Sequence, residues 1–380
     1  MTAIGPAVSL PEAPPALRLT IDGDALAANW RWLKARGGAA DCGAAVKADG
    51  YGLGARQAVA RLAREGCRDF FVSSWAEAAA LGPLPEGCAL SVLHGVREAD
   101  MPAALGRAAR PVLNSPEQVA RWKAAGGGAC DVMVDTGINR LGLRPEDTGC
   151  LEGLAIETLM SHLACADEPD HPMNERQLFS FRILRSTIPA KRYSLANSGG
   201  ICLGPKYAFE LTRPGLALYG GIPVPGNSIQ EDALRSVITV EAEVLQVRRV
   251  EKGDTVGYGA TWVAPYPSTI AILNVGYADG LLRPLADGLG VRIGDQRFGV
   301  AGRISMDLLA LDITNMETVR HIEVGEHGTH SWIRQLAPVM ISEGDWLPLT
   351  LDLCWLSSIS GLSQYELLTG LGRRYQRRWI

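Results

Sequence analysis

A chain of 380 residues, 47% of them hydrophobic and 21% charged, has room for two or three domains and a large core. Its 43 glycines and 22 prolines follow no repeat period, which excludes collagen-like and disordered classes. A formal net charge of -4 gives no general attraction to phosphate polymers, so nucleic acid is not an expected partner.

Residues 1–15 carry Pro6, Pro11, Pro14 and Pro15 with Glu12, and no basic segment ahead of an apolar run. They read as an N-terminal extension rather than a secretory signal, and a cytoplasmic protein is expected. A helical pattern follows at 24–35. Short β-rich runs then recur at 44–48, 69–74, 90–95, 110–114, 131–136, 157–162, 192–197 and 209–215. Segments with helical periodicity lie between them, among them 58–65, 75–81, 116–125 and 174–186, several opened by Ser, Asn or Pro. Eight such alternations predict an α/β fold in which residues 16–232 form a parallel (β/α)8 barrel.

Beyond residue 232 the alternation gives way to Val-, Ile- and Thr-rich runs at 236–249, 269–275, 290–293 and 308–313, predicting a C-terminal all-β domain over 233–380. The uncharged stretch 255–278 is long enough to span a bilayer, but Pro265, Pro267 and three glycines interrupt it, so no membrane segment is expected. Residues 321–338 fit neither pattern and read as an insertion or irregular surface segment, with His327 and His330 solvated rather than metal-ligating. The basic tail of Arg373, Arg374, Arg377 and Arg378 reads as a solvated end. The 8 cysteines include no CxxC pair, so free thiols and no metal site are expected.

In such a barrel the polar residues at the C-terminal strand ends face the mouth. Here they are Lys47, Ser74, His94, Asn114, Asp135 with Arg140 beyond it, His162, Asn197 with Ser198, and Arg213. Lys47 ends an apolar run just before a Gly-rich turn, in AAVKADGYG. Burial there lowers a lysine's pKa and makes the amine a base or a Schiff-base nucleophile. Position alone leaves an ordinary strand-end lysine equally open, and His162 by itself reads as a satisfied core histidine.

AVKADGYG resembles the lysine signature of the alanine racemase family. VDTGINRLGL (134–143), SHLACADE (161–168), ANSGG (196–200), RPGLALYG (213–220), GYGAT (257–261), VGYADGLLR (275–283), GRISMD (302–307) and QYELL (364–368) resemble its further motifs in the same order. The resemblance implies a barrel with a C-terminal β domain, pyridoxal 5'-phosphate (PLP) as cofactor, and a homodimer with shared active sites. It also implies interconversion of L- and D-alanine by an isomerase that supplies D-alanine for cell-wall peptidoglycan. By resemblance, Tyr51, Ser198 and Tyr365 with the amides of Gly215 and Leu216 hold the PLP phosphate. Arg213 faces the pyridine nitrogen, and Arg140 meets the phenolate oxygen. Met306 and its neighbours lie at the substrate carboxylate, with Tyr277, Arg283, Arg303 and Asp167 at a narrow entryway. Lys47 and the partner subunit's Tyr258 are the two bases, with His162 beside that tyrosine.

The chain departs from the family at Met133, where members often carry a carbamylated lysine that holds the PLP-contacting arginine. Asn139, a chloride ion or a carboxylate from a neighbouring strand are the expected substitutes. Three alternatives are weighed. A racemase of broader or serine-type specificity differs only in side-chain acceptance. A barrel-type PLP decarboxylase would need a carboxylate where Arg213 stands, and a PLP homeostasis protein would lack residues 233–380.

Overall fold

The computed structural model describes residues 14–294, 296–314, 316–320, 331–335 and 340–380. The chain divides into two compact units, one of residues 21–238, 352–370 and 379–380, the other of 239–351 and 371–378 with the residues up to Thr20.

The first unit is a barrel. Parallel strands Ala44–Ala45, Asp69–Val72, Ala89–Val92, Ala109–Leu113, Cys130–Met133, Ile156–Met160 and Arg192–Ser194 pair in that order. The eighth strand, Leu211–Thr212, pairs in parallel with Asp41–Cys42, the part of the first strand that precedes Gly43. It meets the seventh through Glu210 N–H to Tyr193 O at 3.1 Å and Arg213 N–H to Ala196 O at 2.9 Å, which closes the ring. Gly43 interrupts the first strand because the barrel wall is tight there: a Cβ would lie 2.8 Å from Asp69 O and 2.9 Å from Phe71 Cε2.

Helices cover the outside. Ala55–Glu65 turns Ala58, Val59 and Leu62 inward, and Ser74, Ser115 and Asn197 cap Trp75–Leu81, Pro116–Ala124 and Ser198–Cys202 with their side-chain oxygens. Phe71, Val112, Met133, Met160 and Leu211 form a buried apolar layer across the interior, with Leu93 packed on it. Strand alternation places Asp69, Ser91, Arg110, Asp131 and Thr158 two residues back on the same inward faces. Arg192 grips Asp69 at 2.9 and 2.5 Å, while Ser91 donates to Asp131 at 2.5 Å and Arg110 approaches it at 3.3 Å. The apolar layer thus separates these buried ions from the mouth.

The second unit is built on a sheet of 8 strands. Its long strand Ile238–Val250 pairs antiparallel with Ser268–Leu273 and Trp346–Leu349. Three expectations change here. Within 321–338, residues 331–335 are not irregular but form a strand antiparallel to Met316–Arg320, while His327 and His330 lie outside the described residues. The basic tail is not simply solvated, since Gln376–Trp379 is the sheet's edge strand and Arg374 clasps the buried Asp279 at 2.6 and 2.7 Å. The helices Leu353–Ser360 and Gln364–Thr369 lie in the stretch read as all-β and belong to the barrel unit. No helix among the described residues is long and apolar enough to cross a membrane. All 8 cysteines are free, and no described cluster of His, Cys, Asp or Glu could hold a metal ion.

Candidate active site

The first barrel strand ends in a turn that runs the wrong way for L-residues. Ala48, Asp49, Gly50 and Tyr51 have φ of 52, 53, 64 and 58°, a left-handed turn begun at Lys47. Each non-glycine residue in that region costs about 1–2 kcal/mol, so the surroundings must enforce it. Gly50 N–H bonds Val46 O and Gly52 N–H bonds Ala48 O, both at 2.8 Å, and the Asp49 carboxylate accepts from Ala55 N–H at 2.8 Å. The result is two side chains aimed into one cavity, the Lys47 amine and the Tyr51 phenol. Burial lowers the Lys47 pKa, the Arg140 charge lowers it further, and Glu77 opposes both.

Tyr51 is buried, stacked on Tyr219 with centroids 4.6 Å apart, and its ring lies 6.2 Å from that of Tyr365. Burial pushes both the Tyr51 and Tyr365 phenols up, so each remains a hydrogen-bond donor at neutral pH. Opposite them, the Ser198 hydroxyl accepts from Gly215 N–H at 3.0 Å and Ala217 N–H at 3.2 Å. With both lone pairs engaged, its proton is left to donate to an anion. Gly215 is required by space: a Cβ there would stand 2.1 Å from the Tyr51 hydroxyl oxygen. Gln364, which the sequence reading missed, clamps Tyr365 in place. Its buried amide accepts from Ile222 N–H at 2.8 Å and donates to Ile222 O at 2.9 Å.

Arg213 ends the last strand, buried, and donates to Ser161 O at 2.6 Å and to the Ser194 hydroxyl. Burial pushes its guanidinium down to about 10, which still leaves it charged at neutral pH. His162 is pushed down to about 3, chiefly by burial and then by the charges of Arg213, Arg140 and Lys47, so its imidazole is neutral. Gln177 holds this strand end through His162 O at 2.8 Å and Thr136 Oγ1 at 3.1 Å. Among the described residues the Arg140 guanidinium has no ion pair and no hydrogen bond. The expected substitute Asn139 donates to Gly137 O at 3.4 Å instead, and the Asp135 carboxylate holds the Arg140 backbone N–H at 3.2 Å. Met133 packs into the apolar layer.

Lys47, Tyr51, Arg140, His162, Ser198, Arg213, Gly215, Leu216 and Tyr365 all line one cavity of about 590 Å³. Tyr258, Tyr277 and Met306 belong to the other unit. There the loop at 276–280 is zipped to 302–307 by Tyr277 N–H to Ser305 O and Ala278 N–H to Met306 O, both 3.0 Å. Arg303 lies under the GYGAT turn, close enough that a Cβ on Gly259 would be 3.0 Å from its Nη1. The Arg283 guanidinium stands 5.4 Å from the centre of the Tyr277 ring. Tyr258 and Met306 are exposed.

A cofactor with a phosphate at one end, a carbonyl for an amine at the other and a ring nitrogen suited to a permanent cation would use every group in the barrel cavity. The residues present fit PLP, and fold and site together define a PLP-binding barrel enzyme. The N-terminal domain model of alanine racemase matches residues 21–223 and the C-terminal domain model matches residues 237–379. An alanine racemase of Cereibacter sphaeroides is 42% identical over 379 residues, covering 95% of this chain and 97% of that protein. One of Rhodospirillum rubrum is 40% identical, covering 95% of each. The crystal structure of alanine racemase from Bartonella henselae with covalently bound pyridoxal phosphate superposes with a TM-score of 0.82 at 33% identity, covering 97% of this chain and 100% of that one. The chain belongs to the alanine racemase family of PLP-dependent isomerases.

Proposed function

We propose that this chain interconverts L- and D-alanine with one base on each face of the substrate Cα, and so supplies D-alanine for cell-wall peptidoglycan. The observation that carries the reading is the convergence of Lys47, His162, Arg213 and the Ser198–Gly215 cradle on one cavity. PLP, when bound, draws electron density from the substrate Cα and makes its proton removable. Tyr51, Ser198 and Tyr365, with the amide of Leu216 and that of Gly215 once it turns from Ser198 to the anion, would hold its phosphate, and Arg140 its phenolate oxygen.

Arg213 has only donors to offer and stays charged, so it would keep the pyridine nitrogen of bound PLP unprotonated. That moderates electron withdrawal and favours return of a proton to Cα over transamination. Lys47 Nζ, its pKa lowered, takes or returns the proton on one face of Cα. The partner subunit's Tyr258 serves the other face, beside the neutral His162, and Met306 and Tyr277 border the substrate carboxylate. A homodimer with shared sites and an inactive monomer belong to this reading, as does the division into a PLP-binding barrel at 16–232 and a β domain at 233–380, from which residues 352–370 return to the barrel unit.

The test is α-proton exchange in D2O on L-alanine, L-serine and L-lysine with PLP present, read by deuterium uptake and chirality. Exchange with inversion on L-alanine, faster than on the other two, is expected. Faster exchange on serine would replace alanine as the substrate, and no exchange on any of the three would end the racemase reading.

A further inference from the structure

The helix Trp75–Leu81 begins SSWAE, the S-x-x-E spacing of a capping box. Ser74 does cap it, accepting from Glu77 N–H at 3.3 Å. The Glu77 carboxylate, however, reaches across to two other backbone amides. Oε2 accepts from Ser73 N–H at 2.7 Å, at the end of the second barrel strand. Oε1 accepts from Ala48 N–H at 3.1 Å, the first amide after Lys47 and the start of the left-handed turn. One carboxylate therefore ties the second strand to the turn that presents both Lys47 and Tyr51.

We propose that Glu77 is a positioning residue for Lys47: it pins the left-handed turn through Ala48 and sets a negative charge at the amine opposite Arg140. The proposal rests on the reading of Lys47 as the cofactor-binding lysine. Arg140 and Glu77, the latter from the neighbouring strand end, act on the charge of that amine, and Tyr51, His94, His162, Arg213 and Tyr365 line the same cavity. Of these Glu77 alone is a carboxylate, and its influence on the Lys47 pKa runs against those of burial and Arg140. A cap that served only its own helix would not need to reach Ala48.

The test uses PLP-loaded protein with Glu77→Gln, Glu77→Ala and Lys47→Ala. Glu77→Gln keeps the shape and removes the charge, and with one acceptor oxygen in place of two it keeps only one of the bonds to Ser73 N–H and Ala48 N–H. It should lower the pH midpoint of the lysine-bound cofactor's absorbance by about one unit, a tenfold change in proton affinity. Glu77→Ala should in addition speed PLP release roughly tenfold, the scale of one lost hydrogen bond to a charged acceptor. An unchanged midpoint in Glu77→Gln, together with unchanged release in Glu77→Ala, would overturn the proposal. Should Glu77→Ala not fold, the midpoint of the isosteric Glu77→Gln decides alone. Absorbance that survives Lys47→Ala would instead remove the lysine assignment beneath it, a failure visible without either Glu77 variant.

Discussion

The turn after Lys47 and the turn around Tyr258 use the same device, backbone in the left-handed region, and finish it differently. In the first, Ala48, Asp49, Gly50 and Tyr51 are held by Val46 O, Asp49 and Glu77, and the lysine they follow is desolvated. In the second, Gly257, Gly259 and Ala260 have φ of 79, 76 and 48° between the short paired strands Thr255–Val256 and Trp262–Val263. Tyr258 at its tip is 65% exposed, and its hydroxyl has no hydrogen bond among the described residues. The barrel half is preorganised around Lys47, and the β half displays Tyr258 on its surface.

The comparison breaks most visibly at Lys47 and Tyr258. Lys47→Ala should abolish the absorbance of lysine-bound PLP and lower turnover by about 10³-fold or more, since it removes both the anchor and a base. Tyr258→Phe should leave that absorbance intact and cost about 10²–10⁴-fold. Its loss should be larger for removal of the L-alanine proton than of the D-alanine proton. Equal loss in both directions would mean that the tyrosine does not serve one face.

A smaller effect sharpens the barrel side. In Gly215→Ala the new methyl must displace Tyr51, which the Tyr219 stack holds from behind. PLP affinity measured by fluorescence titration should fall by about tenfold or more, and unchanged affinity would remove Tyr51 and Gly215 from the phosphate cradle. The smallest effect is in pH dependence. His162 has an ordinary value of 6.5 and a folded value of about 3, so the unfolded chain binds the extra proton between them. The stability this confers is fully present above pH 6.5 and is lost as pH falls toward 3. Denaturant titrations of His162→Gln should therefore show a shallower loss over that window, and an identical slope would mean that the imidazole is not buried neutral.

Much of this was legible in the residues, and the reasons differ by region. All eight barrel strands lie within the predicted β-rich runs, apart from the split first strand and small shifts at the ends, because apolar period and Gly/Pro punctuation report pairing directly. The nine residues expected at the site, some from strand ends and the rest from the family resemblance, line one cavity, Tyr365 among them although it lies in the stretch read as the β domain. The left-handed turn was not legible. Only glycine advertises positive φ, and Ala48, Asp49 and Tyr51 adopt it because Glu77, 29 residues away from Ala48, and the barrel wall enforce it. Gln364 was hidden for the same reason, since its partner Ile222 lies 142 residues off. Met133 suggested a missing anchor for Arg140, whereas its side chain completes an apolar layer whose members come from five strands.

The central claim is that a working site joins Lys47 of one chain to Tyr258 of another. Mixing Lys47→Ala and Tyr258→Phe subunits, each inactive alone, under conditions that exchange protomers tests it directly. If sites are shared, a mixed dimer carries one site with both substitutions and one with neither, and random pairing should restore about a quarter of wild-type activity. If each chain completed its own site, every site in the mixture would keep one defect, and the absence of any recovered activity would contradict the account.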